Sequence, residues 1–279
     1  MDRDRADDDV AMNGPPEALV RALVDGPSAI VAVDWQNRTP STNLRAAEAA
    51  RAGDPEIGLF LTDEQTAGRG RLDRTWQAPA GTSLLASLLL RPAAAAPHLR
   101  LLPLLAGLAL AEAVAPHLPD ADVALKWPND LLLRPDHAHP WRKAAGILVE
   151  LVGDAGVVGV GCNVDWRDVA RPPELAATAT SLAEVAAGDV DRWRVLAGFI
   201  GVFGRRYTAW KQLPVEFLDA YRGRCATLGR QVRVTRGDGA TVEGLAVAVG
   251  ADGALLVRGA DRRTTAVSAG DVTHATLGG

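Results

Sequence analysis

The chain has 279 residues, 48% hydrophobic and 23% charged, and 30 Lys+Arg against 34 Asp+Glu leave a formal net charge of −4. That is enough for one large domain, or a main domain with a small appendix, and the balance excludes a nucleic-acid coat protein and a wholly disordered chain. Two cysteines, Cys162 and Cys225, are too few and too far apart for a disulfide framework, a CxxC redox pair or a four-thiolate zinc site, so a reducing cytoplasm is expected.

Residues 1–28 read as an acidic tail and a first helix, with helical spacing over 17–24 and no apolar core of a secretory signal. A β-prone run follows at 29–33. A helix is predicted from Ser41, since Ser41 and Thr42 are good caps, the alanine-rich 44–52 propagates a helix and Gly53 ends it. Two apolar runs, 57–62 and 82–90, predict strands on either side of a loop rich in Gly and Arg. The most apolar stretch, 99–115, is broken by Arg100, Pro103 and Glu112, so its uncharged core is well short of the ~20 residues that cross a bilayer and predicts a buried helix. Strands are predicted at 123–126 and 131–133 around a Trp-Pro-Asn-Asp turn, and a hairpin at 143–151 and 157–164. Helices are predicted at 181–187, at 191–211 with Asp189 or Asp191 as cap, and at 214–224. From Gly229 short alternating strands with Gly-Asp-Gly and Ala-Asp-Gly turns predict an all-β module of about 50 residues, small enough to need packing against the main domain.

Four segments could carry chemistry. The segment 68–74 places Arg69, Arg71 and Arg74 among two glycines, suited to close approach and bidentate binding of phosphate or carboxylate, although an isolated GRGR is more often a solvated surface loop. It lacks the Lys-Ser/Thr of a nucleotide phosphate loop, and Asp73 stands where a dinucleotide fingerprint has its last Gly. Lys126, Asn129 and Asp130 gather a cation, an amide and a carboxylate at one turn, a set that could hold phosphate and Mg²⁺, or simply a Pro-Asn turn bonded to its own backbone. Lys143 opens an apolar strand near Gly146 and reads as a cation aimed at an anion or as a snorkelling edge lysine. Gly159, Gly161 and Asn163 offer close approach and an oxygen ligand, or tight sheet packing around a core Cys162. The five histidines show no HExxH spacing and no GxSxG elbow occurs, which weakens metalloprotease and serine-hydrolase readings.

The order of the motifs is more informative than any one of them. Ser41-Thr42-Asn43, EQTAGRGR at 64–71, Trp76, KWPND at 126–130, KAAGILVE at 143–150 and GVGCNV at 159–164 together resemble the biotin protein ligases over about 35–182, and more loosely to the end. The resemblance implies an α+β fold: a class II synthetase-like catalytic domain of the biotin/lipoate ligase type at 29–226, with a mixed sheet flanked by helices, then an SH3-like C-terminal β-barrel at 227–279. It implies a reaction in which biotin and MgATP form biotinyl-5′-AMP and pyrophosphate, after which biotin passes to a lysine of a biotin carboxyl carrier domain.

The same resemblance assigns residues. Ser41, Thr42, Asn43 and Gln65 would meet the head of biotin; Arg69, Gly70 and Arg71 would close over its tail and the adenylate; Lys143 would bridge the carboxylate and the α-phosphate, making Lys143, Arg71 and Arg69 the catalytic set. Gly146, Gly159 and Gly161 would admit the ligand, Arg74, Trp76, Lys126, Asn129 and Asn163 would complete the nucleotide side with Arg71 and Lys143, and Asp130 and Asn163 would hold Mg²⁺. The loop departs from the family's usual GRGRxGR at Leu72-Asp73, a side chain and a negative charge where Gly is usual. The segment 165–180 would fold over the nucleotide, with Trp166 the candidate for a tryptophan that some members place late in that loop. About 28 residues before the catalytic domain are too few for a helix-turn-helix module, so nucleic acid is not an expected partner, and the interrupted apolar stretch at 99–115 makes a membrane equally unexpected. Alternatives are a lipoate ligase-like enzyme, whose signatures differ, and a non-catalytic biotin or adenylate sensor, which would have no use for Lys143, Asp130, Arg69 and Arg71.

Overall fold

Side chains alternate across a strand, and in the computed structural model, which describes residues 14–26, 30–72, 74–92, 98–186 and 188–274, that alternation gives the main sheet two distinct faces. The elements of the main domain run α1 (Glu17–Val24), β1 (Ala32–Thr39), α2 (Thr42–Ala52), β2 (Gly58–Gln65), β3 (Ser83–Leu90), α3 (Leu102–Val114), β4 (Asp122–Lys126), β5 (Asp130–Arg134), β6 (Arg142–Val152) and β7 (Ala155–Asn163). They continue with α4 (Pro173–Thr178), α5 (Leu182–Val185), α6 (Arg192–Gln212) and α7 (Leu218–Arg224). The strands form one sheet in the order β1-β2-β3-β7-β6-β5-β4, mixed because β1 pairs parallel with β2 through the α2 crossover while the other pairs are antiparallel.

Leu59, Leu61, Leu84, Leu88, Val158, Val160 and Ile147 point to one face and form the main core with α3 and α6. Phe60, Leu89 and Val157 point to the other, where Ala46, Ala47, Ala49 and Ala50 let α2 lie close against the strands. The helical run His98–His117 is, among the described residues, the one long and apolar enough to cross a membrane, and the leucines of α3 are instead buried between the sheet and α6. Asp191 caps α6 by accepting from the Trp193 N–H at 2.8 Å, and Gly53 ends α2 at φ 86°.

The C-terminal strands β8 (Gln231–Thr235), β9 (Thr241–Val249), β10 (Leu255–Arg258), β11 (Thr264–Val267) and β12 (Asp271–His274) form a five-stranded antiparallel sheet in the order β11-β10-β9-β8-β12. It packs on the main domain as its size requires: the buried Trp127 donates its indole N–H to the Gly253 carbonyl at 2.9 Å and its backbone N–H to Thr227 Oγ1 at 3.1 Å.

Boundaries move where local signals compete with tertiary contacts. The first strand begins at Ala32, not 29, and runs on to Thr39 because it follows β2 in register. The 181–187 helix shrinks to one turn, Leu182–Val185, and the 214–224 helix starts at Leu218 after turns through 213–217. Residues 1–13, Ala29 and Ala187 lie outside the described residues.

The short α5 is held by a capping box. Glu184 accepts from the Ser181 N–H at 2.8 Å and the Ser181 hydroxyl at 3.0 Å, and also from Arg171. Burial alone pushes this carboxyl up, but Arg171 and Ser181 outweigh it and hold it below the ordinary glutamate value. A depressed folded value stabilises the fold above the ordinary range and loses that contribution as pH falls through the folded value. Glu184→Gln is therefore expected to cost about 2 kcal/mol in urea unfolding at neutral pH, with the gap to the parent closing in acid; a gap independent of pH would contradict the ion-pair origin.

Candidate active site

The strand register lays out a floor. Asp130 pairs with Gly146 and Gly146 with Gly161, giving one row across β5, β6 and β7. Leu148, Gly159 and Ser87 make the next row, and Glu150, Val157 and Leu89 the one after. Residues sharing a row share a face, so two glycines of the first row and one of the second open a depression beside the N-terminus of α2. The resulting cleft encloses about 830 Å³ including its mouth, within the roughly 300–1,000 Å³ usual for small-molecule sites.

At the α2 end the lining is polar and largely buried. Ser41 occupies the N-cap position in an extended conformation but makes no side-chain cap bond, because its side chain turns to the cleft. Gln65 Oε1 accepts from the Thr42 backbone N–H at 2.9 Å and faces its hydroxyl at 3.3 Å, leaving the Gln65 amide nitrogen for the cleft. The Ser87 hydroxyl, fully buried, lies 2.8 Å from Thr42 Oγ1 and 2.7 Å from Asn43 Oδ1. Asn43 Nδ2 donates to Glu150 at 2.7 Å and to the Leu148 carbonyl at 3.3 Å. Hydroxyls and amides in this density suit a ligand with several donors and acceptors.

The arginine loop folds back on itself over the cleft. Gly70 N–H donates to the Arg74 carbonyl at 2.6 Å, and Trp76 N–H to the Gly68 carbonyl at 2.9 Å. Leu72 turns this hairpin at φ 54°, a left-handed conformation costing a leucine about 1–2 kcal/mol, and Asp73 lies outside the described residues. Arg69 pairs with Glu150 at 2.9 Å, Arg74 pairs with Asp271, and Arg71 donates to Asn129 Oδ1 at 3.2 Å and to the Gly270 carbonyl at 3.3 Å. The loop thus spans from β6 to the C-terminal sheet. Burial, helped by neighbouring Arg74, holds the Arg71 guanidinium below its ordinary value despite Asp130 and Asp271, and an arginine so lowered is still a cation, here in a partly desolvated place.

Lys143 reaches the cleft by a local irregularity. Leu131 pairs with Ala145 and Leu132 with Lys143, so Ala144 is one extra residue on β6, a β-bulge. Strict alternation from Gly146 would send Lys143 to the opposite face; the bulge restores it to the cleft, where its ammonium lies 2.6 Å from Asp130 and 5.6 Å from the centre of the Trp76 ring. The Trp76 ring lies across Gly161 and Gly146: a Cβ on Gly161 would sit 2.5 Å from it, and one on Gly146 3.1 Å. Its indole N–H is buried and has no partner among the described residues, a donor available to a ligand in the cleft.

Of the residues picked from sequence, Ser41, Thr42, Asn43, Gln65, Arg69, Gly70, Arg71, Arg74, Trp76, Asn129, Asp130, Lys143, Gly146, Gly159 and Gly161 all line this one cleft. Lys126 and Asn163 do not. Asn163 is buried, with Nδ2 donating to the Thr180 carbonyl at 2.9 Å and Oδ1 without a partner among the described residues. Trp166 corrects the expectation of an adenine cover: it is buried, and its indole N–H donates to Ser83 Oγ at 3.1 Å, so it is a core side chain. Sequence reading passed over Ser87, Glu150, Gly270 and Asp271. A serine amid six leucines and alanines in SLLASLLL, and a glutamate ending an apolar strand, were the available signals; nothing local marks Asp271. The lining holds Arg69, Arg71, Arg74 and Lys143 against Asp130 and Asp271, so the cleft favours anions.

Residues 35–165 match the Biotin/lipoate A/B protein ligase family and residues 227–274 match the Biotin protein ligase C terminal domain. The biotin–[acetyl-CoA-carboxylase] ligase of Mycobacterium tuberculosis is 36% identical over 87% of this chain and 88% of its own. That of Paracoccus denitrificans is 34% identical over 80% of this chain and 92% of its own. The structure of the Aquifex aeolicus biotin protein ligase in complex with biotin and ATP superposes with a TM-score of 0.75 at 27% identity, covering 88% of this chain and 99% of that one. A matched catalytic and C-terminal pair, in one chain and over nearly the whole length of such relatives, leaves one assignment: the chain belongs to the biotin protein ligase family.

Proposed function

We propose that the chain is an ATP-dependent biotin protein ligase that joins biotin to AMP, releasing pyrophosphate, and then passes the biotinyl group to a lysine of a biotin carboxyl carrier domain. The observation that carries this reading is the division of one cleft into a hydroxyl–amide end, with Ser41, Thr42 and Asn43 buried and Gln65 half-buried, and a cationic end at Lys143, Arg71 and Arg74. The first suits the ureido ring, which both donates and accepts; the second suits a carboxylate meeting a triphosphate. We place the reaction in the cytoplasm, where the buried, unpaired Cys162 and Cys225 stay reduced.

In the first step a biotin carboxylate oxygen bonds the α-phosphorus and the bond to pyrophosphate breaks. Two anions must approach, and Lys143 supplies a cation between them in a cleft of reduced dielectric. Its present partner, Asp130, holds the ammonium at the Gly146 row until a ligand carboxylate competes. In the second step the carrier lysine amine bonds the acyl carbon and AMP leaves; Arg71 retains the mixed anhydride meanwhile. Trp76, Asn129 and Arg74 would face the nucleotide.

Asp130 is the oxygen donor in the cleft that would hold Mg²⁺. It offers a carboxylate on the cleft floor, and Asn163 Oδ1 is a buried acceptor without a partner among the described residues, although outside the cleft lining. Mg²⁺ takes one or two such oxygens beside phosphates and water, and it supplies neutralisation of the triphosphate when bound.

The reading is tested by incubating the protein with biotin, MgATP and an apo carrier domain and weighing the intact carrier. Gain of one biotinyl group supports it; no gain with biotin still bound favours the sensor, and no biotin binding favours a lipoyl-type relative. Arg71→Gly is expected to form adenylate yet release it at least about tenfold faster, since a charge-assisted clamp is lost. Dissociation of labelled adenylate from the preformed complex reads this, and parent-like retention would remove Arg71 from the role.

A further inference from the structure

We propose that Glu150 is the positioning residue that couples the ring-binding end of the cleft to the arginine loop. This rests on the biotin reading of the cleft, but Glu150 does not line that cleft. It lies on the same face of β6 as Gly146 and Leu148, one row beyond Leu148, with its side chain 29% exposed.

One carboxylate oxygen, Oε2, serves both α2 and the arginine loop. It accepts from Asn43 Nδ2 at 2.7 Å and from the Arg69 guanidinium at 2.9 Å. The Asn43 amide is itself positioned by its neighbours: Nδ2 also reaches the Leu148 carbonyl, Oδ1 faces Ser87 at 2.7 Å, and the missing side chain of Gly159 makes its room. Arg69, by contrast, is about half exposed at 48% and has Glu150 as its charged partner. A pair exposed at both ends contributes little, because both long side chains must be ordered. Here the carboxylate is already held by a buried amide, so only Arg69 loses freedom, and the ion pair gains accordingly. A ligand that tightens Asn43 fixes Glu150, and a fixed Glu150 holds the loop.

The two arms separate by chemistry. Glu150→Gln keeps an oxygen for Asn43 and removes the charge facing Arg69; Glu150→Ala removes both. The parent and both variants are titrated with biotin, reading the dissociation constant by calorimetry and tryptic cleavage after Arg69, Arg71 and Arg74 by mass spectrometry. Without ligand, Glu150→Gln is expected to be cut at these sites several-fold faster than the parent, and biotin to slow the cutting far less than it does in the parent. Its biotin dissociation constant is expected to rise less than threefold, whereas that of Glu150→Ala rises about tenfold, the scale of a lost charge-assisted bond to a buried amide. Arg69→Gln added to Glu150→Gln removes the first of these sites and is expected to change the rate of cleavage after Arg71 and Arg74 no further. Parent-like cleavage of Glu150→Gln without biotin overturns the loop arm, and equal biotin affinities of the two Glu150 variants overturn the Asn43 arm. A parent chain that binds no biotin overturns the reading of the cleft, while the ligand-free cleavage rates still judge the Glu150–Arg69 contact.

Discussion

Lys143→Ala is expected to slow adenylate formation by at least about 100-fold while leaving the fold intact, the scale seen when one preorganised electrostatic group is removed from a reacting centre. The side chain is 37% exposed and its neighbours are the open glycine floor, so its removal leaves no core void. What it leaves is Asp130, 16% exposed, without its ammonium partner at 2.6 Å. The variant therefore both removes a cation and unmasks an anion where two anionic substrates meet. Asp130→Asn separates these: it frees Lys143 without adding negative charge, so a loss in that variant belongs to Asp130 itself. Pyrophosphate release with biotin and MgATP, beside a thermal melt, reads the outcome. Release at the parent rate by a well-folded Lys143→Ala protein would sink the proposed role. Deleting Ala144 gives an independent check: with the extra residue gone Lys143 stands two positions from Gly146, regular alternation keeps it on the cleft face opposite Leu132, and adenylate formation is expected to persist.

That bulge marks the limit of what a sequence can carry. Period-2 patterning made the hairpin of β6 and β7 legible, and the motif order brought fifteen residues to one cleft. Alternation counted from Gly146 nevertheless places Lys143 on the wrong face, and no residue type announces an extra position in an alanine pair. Ser41 was legible as a cap by type, yet its hydroxyl serves the cleft, since chain direction and not propensity decides where it points. Trp166 was a candidate by type and position, but the Ser83 hydroxyl across the sheet satisfies its indole inside the core. Glu150 and Asp271 escaped notice for the same reason: each acts through an arginine remote in sequence, and a carboxylate on a strand carries no local mark of its partner.

Gly159→Ala is expected to weaken biotin binding by about 100-fold, the cost of dislodging a side chain that makes several bonds. A Cβ there would lie 2.0 Å from Asn43 Oδ1 and 2.8 Å from its Cγ, far inside contact distance. A flexible neighbour could swing aside, but Asn43 is tied to Ser87, Leu148 and Glu150, and α2 behind it is packed through Ala46 and Ala47 at 0% and 4% exposure. The amide must leave its bonds or the helix must retreat; either spoils the ring-binding end and loosens the Glu150 contact. Gly161→Ala makes an instructive contrast, because its Cβ would meet the Trp76 ring at 2.5 Å, at the nucleotide end. The first substitution is expected to raise KM for biotin with KM for ATP little changed, and the second to do the reverse. Gly223→Ala, with nothing within 4 Å of the added carbon, serves as the control that alanine itself is harmless. If Gly159→Ala and Gly161→Ala raised the same KM, the division of the cleft into a ring end and a nucleotide end would be wrong, however well each residue lines it.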